Sequence, residues 1–219
     1  MPSDLTSLSQ HLAARDFRVA APTLPGHGTS PRELRRTGWR DWYAAASAAL
    51  DRLSPPAVIA GLSMGGLLAL RLAARHPERV AAIALLSVPL WLPLPVRLGV
   101  RVLAPVLPYV PKRGIDVADP EQRRLVAGYR RYPLAAVASL LDLMQATGPL
   151  LGQVRAPALV IHARQDHTAP LACADEMARR LGGAVRRVTL ERSFHVVTLD
   201  VERDHVAKLV GDFFSEIHA

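Results

Sequence analysis

The chain has 219 residues, half of them hydrophobic, which is the length of one domain with a full core and excludes a disordered chain. Its formal charge is +8, from 27 basic and 19 acidic residues, and nearly all the basic ones are arginines scattered over expected helix faces and loops. With no basic stripe interleaved with aromatics, nucleic acid is not an expected partner.

Cys173 is the single cysteine, so no intrachain disulfide can form. Met1 to Leu8 carries neither a basic stretch nor a long apolar one; no signal peptide is expected, and the expected compartment is the cytoplasm. No uninterrupted apolar run reaches membrane-spanning length. The nearest approach, Leu90 to Val110, is broken by prolines such as Pro93 and Pro105 and by Arg97 and Arg101.

Ser3 or Asp4 can cap a first helix to about Arg15, with Leu5, Leu8 and Leu12 on one face. Phe17 to Pro22 reads as a strand, and Leu24-Pro25-Gly26-His27-Gly28 as a turn-rich loop at its carboxyl end. His27, flanked by glycines there, is a candidate for a pocket wall. An amphipathic helix from about Trp39 to Leu53 is stopped by Ser54-Pro55-Pro56. Ala57–Ala60 is a short buried strand, followed by a helix that ends near His76-Pro77. Further strands are expected at Val80–Leu86, Ala158–His162 and Ala184–Leu190, and helices at Pro170–Leu181 and Glu202–Ile217. This alternation is the pattern of an α/β fold with a mostly parallel sheet covered on both faces.

The alternation is interrupted once, by about 70 residues between Leu86 and Ala158, too many for a simple crossover. Residues 89–155 read as a cap inserted between two parts of one core, 1–88 and 156–219. The insertion holds the expected helices Pro120–Arg131 and Pro133–Ala146. Trp91 and Leu92, in its apolar, proline-rich first half, are candidates for lining a substrate pocket. That half could also dock on lipid, or simply bury the cap against the core.

Gly61-Leu62-Ser63-Met64-Gly65 joins the Ala57–Ala60 strand to a helix-forming run. A serine at such a junction sits on a sharp turn, with its hydroxyl pushed out at the carboxyl edge of the sheet over a helix N-terminus. Glycines two residues to either side are expected to permit the turn. Activating the serine requires a base and a group that orients the base. Asp166 lies just past the strand ending at His162, and His195 just past the one ending at Leu190. The order Ser63, Asp166, His195 is the one expected for a nucleophile elbow of this kind. His162 reads as a packed strand residue, and Asp200 and Asp204 as capping residues of the last helix. Cys173 reads as core. No histidine pair has a ligand-like spacing, so neither a metal nor a cofactor is expected.

On these stretches, with Thr37 to Trp42 and Ser193-Phe194-His195-Val196-Val197-Thr198-Leu199-Asp200, the chain resembles the bacterial carboxylesterase and monoacylglycerol lipase group of the α/β-hydrolase superfamily. The resemblance implies Ser63 as nucleophile, Asp166 as acid, His195 as base, a small cap, and short- to medium-chain esters or monoacylglycerols as substrates. The Met64 backbone N–H would supply one oxyanion donor. The same three residues serve acyl transfer and carbon–carbon or peptide hydrolysis elsewhere in the superfamily, and an inactive ligand-binding module is a third reading.

The family pattern also implies earlier strands and a His-Gly-Phe oxyanion loop ahead of Ser3, which this sequence does not contain. The expectation is an N-terminally shortened sequence. Beside Ala57–Ala60 it should show either a gap or direct pairing with the Phe17–Pro22 strand.

Overall fold

In the computed structural model, which describes residues 2–112, 114–125, 129 and 131–218, a 3-10 turn over Pro2–Leu5 leads into α1 (Thr6–Ala13). Next come the single turn α2 (Pro31–Leu34), α3 (Trp39–Asp51), β1 (Ala57–Leu62), α4 (Met64–Arg75) and β2 (Val80–Leu86). The following segment holds α5 (Leu94–Leu103), β3 (Tyr109–Pro111), α6 (Pro120–Leu125), β4 (Arg131–Pro133) and α7 (Leu134–Thr147). The chain closes with β5 (Ala158–Ala163), α8 (Ala172–Arg180), β6 (Val185–Leu190) and α9 (Arg203–His218).

Four strands form one parallel sheet in the order β1-β2-β5-β6. The strand period of two sorts their side chains between two cores. Val80, Ile83, Leu85, Ala158 and Val160 face the cluster that contains α4 and α7 residues such as Leu67, Leu70 and Leu143. Ala82, Ala84, Leu86, Leu159, Ile161 and Ala163 face the one built with Leu8 and Leu12 of α1 and Val206, Val210 and Phe214 of α9. Strands β2 and β5 are therefore near-continuous apolar runs buried on both sides. At the edge, β6 carries the exposed Arg186 and Arg187.

The expected strand at Phe17–Pro22 does not form. The chain there is irregular, and Arg18 to Thr23 are exposed. Phe17 anchors it instead, packing edge-on against Phe214 with ring centroids 6.3 Å apart. Strand β1 thus has a ladder partner on one side only among the described residues. A groove of about 620 Å³ runs beside it, lined by Arg15 to Arg18, Leu53, Ser54 and Pro56 to Val58, with Ser215 across. Of the two outcomes expected here, the gap is the one found. A strand without a neighbour leaves its amides and carbonyls to solvent, so residues 17–22 gain nothing from the extended form.

Between β2 and β5 the structure adds elements that periodicity did not expose. α5 covers Leu94–Leu103, and β3 pairs with β4 in a short antiparallel hairpin. Of the helix expected over Pro120–Arg131, the described residues show Pro120–Leu125, as α6; residues 126–128 and 130 lie outside the described residues, and Arg131 belongs to β4. Helix α7 and the 3-10 turn after it make one apolar stretch, Leu134–Gln153, with an 18-residue window of mean hydropathy 1.4. By length and composition it could span a bilayer, a possibility the sequence reading had excluded; here Leu141, Leu143 and Met144 pack it into the core.

Candidate active site

The turn after β1 holds Ser63 at φ 53° and ψ −118°, outside the regions that non-glycine residues ordinarily occupy. Neighbouring contacts enforce it. Ser63 N donates to Leu86 O at 2.8 Å, continuing the β1–β2 ladder, and Gly66 N donates to Ser63 O at 3.0 Å. A Cβ on Gly61 would lie 2.4 Å from Gly65 O, and one on Gly66 would lie 2.1 Å from Val88 Cγ2. Gly65 is different: a Cβ there meets nothing within 4 Å. The close approach therefore needs Gly61 and Gly66, not the symmetric Gly61 and Gly65 pair. Met64 opens α4, so its N–H has no carbonyl one turn back in the helix.

His195 and Asp166 meet Ser63 although they are 132 and 103 positions away in the chain. The Ser63 hydroxyl lies 2.9 Å from His195 Nε2, and His195 Nδ1 lies 2.8 Å from Asp166 Oδ2. The carboxylate only accepts, so Nδ1 carries the proton and Nε2 is left to accept from the serine. Both Asp166 and His195 are buried. Asp166 Oδ1 accepts from Thr168 N and Ala169 N at 2.8 and 2.7 Å. Burial alone would raise the Asp166 carboxyl. Hydrogen bonds from His162 and His195, the charge of His195 and the Ala169 amide outweigh it and hold the group well below the usual carboxylate range.

Two residues take parts that the sequence reading did not give them. His162, a packed strand residue as expected, also brings Nε2 to 3.3 Å from Asp166 Oδ2 and 3.0 Å from Ala169 O. Asp200 does not cap the last helix. Its carboxylate is fully buried and accepts from the amides of Ala118, Asp119, Phe194 and Val201. The only sequence signal for either was its nearness to Asp166 or His195. Glu202 adds a further tie, with Oε2 accepting from Ser193 N and Ser193 Oγ at 2.8 Å each.

His27 is not brought into contact with the three residues. Its ring packs edge-on on Trp42, with Nδ1 3.3 Å from Pro25 O. Burial lowers its pKa, against the raising effect of that carbonyl. Trp91 and Leu92 line a cavity of about 330 Å³ shared with α5 and α7 residues such as Leu98, Arg101 and Met144. Neither this cavity nor the groove beside β1 is lined by Ser63, Asp166 or His195. Cys173 is buried, with Sγ donating to Trp91 O at 3.9 Å, and burial raises its thiol. Among the described residues no group of three or more His, Cys, Asp or Glu side chains could hold a metal.

A parallel sheet with a serine on a strained turn after one strand, and an aspartate and a histidine after two others, defines an α/β-hydrolase fold. A family model described as Hydrolase_4, serine aminopeptidase S33, matches residues 4–202, and the chain belongs to that family, in the esterase and lipase group of the α/β-hydrolases. It is 28% identical over 219 residues to the thermostable monoacylglycerol lipase of Bacillus sp. (strain H-257), covering 98% of this chain and 86% of that one. It is 27% identical over 222 residues to a carboxylesterase of Bacillus subtilis (strain 168), covering 98% and 88%. A solved structure reported with LipS and LipT, two metagenome-derived lipolytic enzymes, superposes with a TM-score of 0.92 at 28% identity, covering 98% of this chain and 89% of that one.

Proposed function

We propose that this protein hydrolyses short- to medium-chain acyl esters or monoacylglycerols through a covalent acyl-enzyme on Ser63. The observation that carries the reading is the placement of His195 between the Ser63 hydroxyl at 2.9 Å and the Asp166 carboxylate at 2.8 Å. Ser63 Oγ attacks the ester carbonyl as His195 Nε2 takes its proton. Asp166, kept ionised by its hydrogen bonds, fixes the tautomer and stabilises the imidazolium. The Met64 amide donates to the oxyanion at the start of α4, where the helix favours negative charge. His195 then gives its proton to the leaving alcohol, and a water activated by the same imidazole releases the acid.

Residues 89–155 form the cap in this reading, with Trp91 and Leu92 on the cavity they share with α5 and α7. Leu94, Leu98, Val102 and Val106 stand exposed on α5 and just after it, with Arg97 and Arg101 among them. That surface supports contact with a lipid–water interface and an apolar acyl group. The relatives named for monoacylglycerol and carboxylic ester hydrolysis support the bond type.

The test is turnover of p-nitrophenyl esters from acetate to decanoate and of monoacylglycerols, beside aminoacyl p-nitroanilides. Ester turnover that vanishes in Ser63→Ala is expected. Faster turnover of the anilides would move the reading to peptide hydrolysis, which the family description also names. No turnover of any of them, with folded protein, would favour a ligand-binding module.

A further inference from the structure

Asp200 is a buried carboxylate that, among the described residues, has no cation on it. Backbone amides surround it instead. Oδ1 accepts from Ala118 N at 2.9 Å, Asp119 N at 2.9 Å and Val201 N at 2.8 Å. Oδ2 accepts from Ala118 N at 2.8 Å and Phe194 N at 2.7 Å. Charge-assisted bonds of this kind are the stronger class, and here they satisfy the acceptor sites of an acceptor-only group.

The donors come from two places distant in sequence. Phe194 immediately precedes His195, whereas Ala118 and Asp119 belong to the inserted segment, 82 and 81 positions from Asp200. The residue on the other side of His195 is tied to the same segment, since Val196 N donates to Asp116 O at 3.0 Å. The Asp116 side chain then reaches the loop of the acid. It accepts from His167 N at 3.2 Å, His167 Nδ1 at 2.8 Å and Thr168 Oγ at 2.9 Å. Val117, between these anchors, is fully buried against Val196 and Leu199. A strap of four residues, Asp116 to Asp119, is thus bonded directly to the residue after Asp166 and to Val196 on one side of His195, and through the Asp200 carboxylate to Phe194 on the other.

We propose that Asp200 is a positioning residue, which together with Asp116 locks the cap strap to the His195 and Asp166 loops and so sets the distance between His195 and Ser63. The proposal rests on the Ser63–His195–Asp166 reading above. Its chemistry is steric: an imidazole displaced by about 1 Å can lose a hundredfold in rate while the substrate still binds. The cap would thereby influence turnover without touching the reacting atoms.

The experiment compares wild type, D200N, D116N and, as a control for stability alone, Leu12→Ala in α1, all below their melting temperatures. Asparagine keeps the size of Asp200 but turns an NH2 toward amide donors, so at least two of the five bonds are lost. D200N is expected to lower kcat about tenfold or more with KM within about threefold, and to slow fluorophosphonate labelling in parallel. D116N is expected to lower kcat about threefold, and D116N/D200N to lose less than the product of the two, because both act through one strap. L12A is expected to melt earlier with kcat unchanged.

A folded D200N with kcat within about twofold of wild type overturns the proposal, as does a D200N that behaves like L12A. If D200N does not fold, D116N decides, and an unchanged kcat there overturns it. Labelling of wild type with an S63A control is run first, so that failure of the underlying triad is seen separately.

Discussion

His162 Nε2 stands 3.3 Å from Asp166 Oδ2, the same oxygen that His195 Nδ1 approaches at 2.8 Å. Two imidazoles therefore share one carboxylate oxygen. The nearer carbonyl, Ala169 O at 3.0 Å, can only accept, so Nε2 of His162 carries its proton. Nδ1 is buried and has no hydrogen-bond partner among the described residues.

His162→Leu keeps an apolar volume but removes this donor from Ala169 O and Asp166. A stability loss of about 1–3 kcal/mol is expected, measured by urea unfolding. His162→Gln, which restores an N–H, should recover part of it. Equal stability of the leucine variant and wild type would show that the shared bond contributes nothing net.

Asp166 also predicts how stability follows pH. Its folded pKa is depressed, so the unfolded chain binds its proton first as pH falls. The contribution is complete above the unfolded value of about 3.9 and is lost as pH drops through the folded value. The stability difference between wild type and Asp166→Asn should be flat above about pH 5 and shrink below about pH 4. A difference that shrinks between pH 7 and 5 would contradict the depressed pKa.

The elbow glycines separate by their neighbours. Gly61→Ala drives a Cβ onto the Gly65 backbone, which cannot step aside, and should cost about 3 kcal/mol or prevent folding. Gly66→Ala meets Val88 Cγ2 at 2.1 Å and, less tightly, Gly61 O at 3.1 Å and Val88 Cβ at 3.2 Å, so a loss of about 1–3 kcal/mol should be partly rescued by Val88→Ala. Gly65→Ala should stay within about 1 kcal/mol of wild type. Thermal or urea melts of the set check the order, and a Gly65→Ala worse than Gly66→Ala would refute it.

The edge of β1 that has no ladder partner among the described residues has a kinetic signature. Ala57 N and Ser63 N donate toward β2, so with the period of two the amides of Ile59 and Gly61 face β2, while those of Ala60 and Leu62 face away. Hydrogen exchange at Ala60 and Leu62 should be at least about tenfold faster than at Ile59 and Gly61. Equal protection on both sides would mean that a partner covers that edge in solution.

The candidate site was legible because its residues follow expected strands: Ser63 comes directly after Leu62, Asp166 three residues past Ala163 and His195 five past Leu190, although the last strand carries two exposed arginines. The Phe17–Pro22 strand was misread because its composition suits a strand, while strand formation depends on a neighbour that composition does not report. Asp200 was misread for a related reason. Near a helix start an aspartate suggests a cap, and the competing donors at Ala118 and Asp119 are visible only in three dimensions. α5 was hidden by Pro93 and Pro95, which flank its start; a proline in the first turn of a helix costs little.

Intact-protein mass spectrometry after treatment with a fluorophosphonate tests the central assignment most directly. One adduct on wild type, mapped to Ser63, is predicted, with none on Ser63→Ala and labelling slowed by at least about a hundredfold in His195→Ala, since the serine needs its base. An adduct that persists in Ser63→Ala, or that forms on wild type and His195→Ala at equal rates, would contradict the account.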